Sequence, residues 1–199
     1  MFTGESSRFF ELYLDIPEQD DAPPIGWFPG DAVDADGHYY TVGAFGQGTY
    51  FESIPYVVLK NTRIFTQPDD FAFKAASFTP VVSRRFADLV CKTDPTAVQR
   101  IPVAFLDTDI TGFEILNVIR IIQGIDYERS GHISRFDANL EPDRGGEIKS
   151  IIDLKIRSDV PQDYHIFRLQ DWRLPVIVSA HLKALIEASG FTGVSFLPC

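Results

Sequence analysis

Cysteine is scarce in this sequence, and the scarcity narrows both compartment and chemistry. The 199 residues hold two, Cys91 and Cys199, far apart, so neither a disulfide framework nor a zinc site of paired cysteines is expected. Cys199 is the last residue, where a loose chain end is anticipated. Long apolar runs are missing too. The most apolar stretch, Leu174 to Ile186, is broken by His181 and Lys183, and falls short of the about 18 residues a membrane helix needs. Met1-Phe2-Thr3-Gly4-Glu5 lacks the basic start of an export signal, so a reducing cytoplasm is the expected compartment. Basic charge is the third deficit: 18 Lys and Arg face 28 Asp and Glu, a net charge of -10. Such a chain repels phosphate backbones and anionic lipid, so nucleic acid and membrane are not expected partners.

The motifs of cofactor and nucleophile chemistry are also lacking. Gly43, Gly46 and Gly48 lack the spacing of a dinucleotide fingerprint, no Lys-Ser or Lys-Thr follows to make a phosphate loop, and a turn is expected there. His38, His132, His165 and His181 show no metal-binding spacing, and no Gly-x-Ser-x-Gly elbow is present. Asp34-Ala35-Asp36-Gly37 resembles part of a calcium loop. Aligning Gly37 with the loop's glycine, however, puts Ala32 and Gly43 where carboxylates are required. A solvated acidic turn and an irregular calcium site from Asp31, Asp34 and Asp36 both stay open. Cys91 closes an apolar helical stripe and reads as a small core residue. No catalytic set, metal or cofactor is assigned.

What is present is enough apolar residue, 45%, for one domain spanning residues 1–199. Charge divides that domain unevenly. Residues 1–80 carry 12 acids and 4 bases, hence eight of the ten net negative charges, in a β- and loop-rich part. Phe10, Leu12, Leu14 and Ile16 alternate with polar neighbours, predicting a strand over 8–16 with one buried face. Pro17 to Gly37 reads as an ordered loop, because disordered linkers rarely contain a pair such as Trp27-Phe28. Short strands are predicted at His38–Val42, Ile54–Leu59 and Arg63–Phe65.

From residue 81 onward the period changes. Ser83 caps a helix carrying Phe86, Leu89 and Val90 and ending before Asp94-Pro95. Strands are predicted at Ile101–Leu106, Phe113–Ile122, Ile151–Ile156 and His165–Leu169, with a loop from Asp126 to Gly146. Ser179 caps a second helix over 180–189, Gly190 suits its left-handed C-terminal cap, and a short strand follows within Phe191–Phe196. Without regular alternation of strand and helix, this is α+β: a mixed, mostly antiparallel sheet with two or more short helices.

The run Val82-Ser83-Arg84-Arg85-Phe86-Ala87-Asp88-Leu89, then Phe113-Glu114-Ile115-Leu116-Asn117-Val118 and Gly124-Ile125-Asp126-Tyr127-Glu128-Arg129-Ser130, resembles the Imm11 immunity protein family. The likeness continues in Ile166-Phe167-Arg168-Leu169, in Val178-Ser179 and in Ser189-Gly190-Phe191-Thr192-Gly193-Val194-Ser195-Phe196. It covers about residues 80–197. Within it Asn117 and Asp126 read as polar residues satisfying buried backbone. The resemblance implies a bacterial polymorphic-toxin system, in which an immunity protein binds and neutralises a cognate toxin. The expected partner is then a protein, and the acidic first part supplies the candidate contacts: Trp27, Phe28, Asp31, Asp34, Asp36, Tyr39 and Tyr40. Two rivals remain. A small enzyme could use Asp107, Asp109 and Asp126, and a non-catalytic adaptor would bind a partner without suppressing toxicity; Asp126→Asn would disable only the enzyme.

Overall fold

Alternating apolar residues and two serine caps set most of the elements. The computed structural model describes residues 7–14, 27–33, 45–61, 69–74, 79–106 and 109–199. The first strands are β1 (Phe9–Leu14), β2 (Trp27–Val33), β3 (Tyr56–Asn61), β4 (Phe71–Lys74) and β5 (Thr79–Ser83). Helix α1 (Arg84–Thr93) leads to β6 (Val98–Leu106), β7 (Phe113–Val118), β8 (Ile121–Ile122), β9 (Ile133–Arg135) and β10 (Ile148–Ile151). The chain continues through β11 (Ile166–Leu169), β12 (Val176–Ser179), helix α2 (Ala180–Ala188) and β13 (Val194–Pro198).

The α+β reading holds. One sheet runs β2-β3-β6-β7-β5-β4, a second runs β13-β1-β12-β11-β8, and β9 pairs with β10. The pairings are antiparallel except β3 with β6 and β8 with β11. Between the two sheets lies a core in which Phe86, Ala87 and Val90 of α1 and Leu182 and Ile186 of α2 meet Leu12, Phe71, Val82, Leu116, Ile166 and Val178. Each such Phe, Val, Leu or Ile contributes roughly 1.5–3 kcal/mol by leaving water. Period-two strands feed both sides of each sheet. Val81 and Ile115, next to Val82 and Leu116, point the other way and pack with Phe45 and Phe51, while Phe9, Phe167 and Ile177 pack with Ile125, Ile148, Ile151 and Leu154. The strand expected to bury one face therefore buries two. In β1, Phe9 is 3% exposed and Glu11 only 4%.

The caps form as the sequence predicts. Ser83 Oγ accepts the Phe86 N–H at 3.3 Å and Ser179 Oγ the Leu182 N–H at 3.2 Å. Asp94, held extended by Pro95, stops α1 at φ -146°, and Gly190 adopts φ 63° after α2.

Other boundaries needed correction. Part of the loop read across Pro17–Gly37 is β2, the outermost strand of its sheet; an edge strand tolerates Pro29, and the register slips between Pro29 and Ala32. The loop over 126–146 contains β9. The strand read as Phe113–Ile122 breaks after Val118, where Ile119 and Arg120 N–H both donate to Ala97 O and β8 crosses to the other sheet. Of Ile151–Ile156, Ile151 ends β10 and Ile156 makes only an isolated bridge to Ile125. The strands predicted at His38–Val42 and Arg63–Phe65 lie outside the described residues. Cys199 is not loose: it is 8% exposed, and its N–H donates to Phe9 O at 3.1 Å.

Gly193, at φ 74°, lets β13 approach β4. A Cβ there would stand 2.5 Å from Phe71 O and 2.5 Å from Asp69 Cβ. Gly193→Ala is expected to destabilise by about 2 kcal/mol or more, read as a lowered midpoint in chemical denaturation, because both the backbone angle and the space oppose it.

Candidate functional site

Three segments remote in sequence enclose a cleft of about 650 Å³. Tyr127 comes from the turn after Ile125, Arg135 and Gly146–Ile148 from the β9–β10 hairpin, Arg144 from the short 3₁₀ turn Pro142–Arg144 within it, and Gln170–Leu174 from the β11–β12 connection. Gln47 closes one end. The β11–β12 connection is fixed from below by Arg168, 0% exposed, whose Nη1 donates to Arg173 O at 2.6 Å and Leu174 O at 3.0 Å. Burial pushes the Arg168 pKa down to about 9, which leaves it a cation at neutral pH.

Around the rim, Tyr127 Oη donates to Asp171 Oδ2 at 2.8 Å; burial and that carboxylate raise the phenol pKa, against the opposing effect of Arg135. Arg144 donates to Glu147 at 3.2 Å and lies 3.7 Å over the Phe136 ring. Arg135 Nη1 donates to Gly146 O at 2.7 Å, and Arg173 Nη1 to Gln47 O at 3.3 Å. The indole N–H of Trp172 is buried without a hydrogen-bond partner. Arginine, tyrosine and tryptophan thus converge on one concavity, an arrangement suited to gripping a polar group.

The residues proposed from the sequence lie elsewhere. Trp27, Phe28 and Asp31 share β2, where Trp27 pairs with Asn61 and Phe28 with Lys60. Asp34, Asp36, Tyr39 and Tyr40 lie outside the described residues. Asp107 does too, while Asp109 is exposed in the loop before β7. Asp126 Oδ1 accepts the N–H groups of Glu128 at 3.2 Å and Arg129 at 3.0 Å, so it serves backbone as expected, but in an exposed turn and not at a buried site. Asn117 likewise serves backbone, donating to Thr49 O at 2.7 Å.

One pair missed in the sequence is Ser179 Oγ and His165 Nδ1, 2.9 Å apart, with the His181 ring centroid 5.0 Å from that of His165. It is a joint and no nucleophile-base pair: Ser179 is 6% exposed, its hydroxyl caps α2, and Asp94 accepts the backbone N–H of His165 instead of orienting the ring. Cys91 is half-buried at the edge of the helix core, and burial pushes its thiol pKa up, away from thiolate chemistry. Among the described residues no group of His, Cys, Asp and Glu is placed to hold a metal ion, and no helix is long and apolar enough to cross a membrane.

Glu11 is a carboxylate buried in β1. It is 4% exposed and accepts the Tyr13 hydroxyl at 2.6 Å; burial raises its pKa above the ordinary 4.5, and the hydrogen bond only partly offsets this. A raised folded-state value adds stability at low pH that disappears as pH rises through it. Glu11→Gln should therefore melt higher than wild type at pH 7, by roughly 2–4 °C, with the gain shrinking toward pH 4 in a thermal-melt series.

Fold and site together define a layered α+β protein with an arginine- and aromatic-lined cleft. The chain belongs to the Imm11 family, described as Immunity protein family (Imm11), with residues 8–199 matched. The match extends the likeness seen over about 80–197 back to β1. In the sheet β1 lies between β12 and β13, so the first described strand pairs with the last two. No curated protein matches the sequence. Family membership points to an immunity function.

Proposed function

We propose that the protein is a cytoplasmic, single-domain immunity protein that binds a cognate toxin and neutralises it by occluding it, without catalysis or cofactor. The observation that carries this reading is the family match over residues 8–199. The engagement of Ser179, Asp126 and Asn117 in hydrogen bonds to the backbone supports it, since these polar groups serve the fold. A pairing of this kind needs roughly 1,600 Å² of total buried surface and a few aromatic or arginine anchors. The acidic first part is one docking surface, with Trp27, Phe28, Tyr39 and Tyr40 as anchors and Asp31, Asp34 and Asp36 steering a basic toxin.

Calorimetric titration with the inactivated product of the neighbouring gene tests the reading: nanomolar or tighter binding is expected, and absence of a complex would remove it. In the same titrations followed by stopped flow, reversing Asp31, Asp34 and Asp36 to Lys should slow association about tenfold or more and flatten its salt dependence. Unchanged kinetics would take that region out of the interface.

A further inference from the structure

Several arginines of this acidic chain pair with acids, and Arg8 is held by the carbonyls of Ser158 and Val160. Arg85 pairs with Asp70, Arg100 with Asp88 and Glu114, Arg120 with Asp94 and Arg157 with Asp159. At the cleft, Arg135 and Arg173 are held instead by neutral backbone carbonyls, those of Gly146 and Gln47. Arg173 spends one of its five guanidinium donors in that bond and Arg135 a further one on the Tyr127 hydroxyl, so charge and several donors remain for whatever enters. The acids of the same cleft are engaged elsewhere, Glu147 by Arg144 and Asp171 by the Tyr127 hydroxyl.

From this geometry we infer that the cleft between the β9–β10 hairpin and the β11–β12 connection receives an acidic side chain of the bound partner, its carboxylate clamped by Arg135 and Arg173. The inference rests on the toxin-binding reading and adds a second contact surface to it. Three features favour a protein carboxylate over a free polyanion. Glu147 and Asp171 share the cleft and would repel a multiply charged phosphate, whereas a single carboxylate meets a local excess of positive charge. The overall charge of -10 opposes long-range capture of polyanions, so attraction is confined to contact range. Tyr127 and Trp172 beside the arginines provide the residue types that dominate protein interfaces. Because Arg173 also holds Gln47, the cleft is tied to the 45–55 segment of the acidic part.

The test titrates the full-length protein with the inactivated product of the neighbouring gene, comparing wild type with Arg135→Gln, Arg173→Gln and, as a control on α1, Lys92→Glu. Each cleft variant should weaken binding about 10- to 100-fold, mainly through faster dissociation, with melting temperature unchanged for Arg135→Gln, whose side chain is exposed. Lys92→Glu should bind as wild type. Equal affinity of both cleft variants and wild type would overturn the inference and leave the immunity reading standing. Failure of wild type to bind would overturn both. Saturable binding of inorganic phosphate alone, abolished by Arg173→Gln, would reassign the cleft to a free anion.

Discussion

Arg168→Met should lower stability by about 3 kcal/mol or more, a loss of roughly 6–12 °C in melting temperature for a chain of this size. The side chain is fully enclosed, yet its role is polar: it lies in the middle of β11 and holds the carbonyls of Arg173 and Leu174 through one nitrogen. Methionine replaces most of the volume, so the expected loss comes from leaving buried carbonyls without donors, at about 1–3 kcal/mol each. Apolar replacement of a buried charge can be harmless where both partners leave together. Here the partners are main chain and cannot leave. Arg168→Lys supplies a charge but no planar fork, and should recover only part of the loss. Circular-dichroism melts of the three proteins decide the matter; a methionine variant melting within about 2 °C of wild type would show that Arg168 is filling space and not clamping the connection.

Arg168 also marks the limit of what the sequence discloses. Ile-Phe-Arg-Leu reads correctly as a strand, since Ile166, Phe167 and Leu169 are apolar and β-compatible. Alternation, however, assigns a lone arginine to a wet face. Arg168 instead shares its face with Ile166, which lies in the core between the two sheets, while Phe167 and Leu169 meet the layer formed by residues 125–160. The same layer turned the one-faced strand predicted for β1 into a two-faced one. Local signals with a local cause were legible: Ser83, Ser179 and Gly190 act through hydrogen bonds and backbone angles set within four residues. β2 was hidden because proline and glycine in Trp27–Val33 argue against a strand, an objection that fails at a sheet edge. The cleft was hidden for another reason. Its residues come from 47, 127, 135–148 and 170–174, and no periodicity joins them. The available signal was compositional: Tyr127, Trp172 and Arg173 are large residues in loops, where packing gives them little reason to be.

Asp94→Ala should be as damaging as the loss of Arg168, at about 3–5 kcal/mol, because it breaks a pair buried between the two sheets. Asp94 follows α1 and is 4% exposed; its Oδ2 accepts both Arg120 Nη1 and the His165 N–H, the latter at 3.0 Å. That carboxylate therefore joins the helix end to the chain entering β11. Arg120 is further held by Thr96 Oγ at 2.7 Å and by stacking 4.3 Å over the Tyr164 ring. Removing Asp94 leaves that cation enclosed and the His165 N–H without its acceptor. The double variant Asp94→Ala with Arg120→Ala should consequently lose less than the sum of the single losses, by about 1–3 kcal/mol in a double-mutant cycle. Half-molar salt should change the coupling little, since mobile ions reach the site poorly; the exposed Arg157–Asp159 pair would show salt sensitivity in the same experiment. Strict additivity would mean that Asp94 acts through His165 alone, and that the two sheets are joined at this point by main chain instead of by charge.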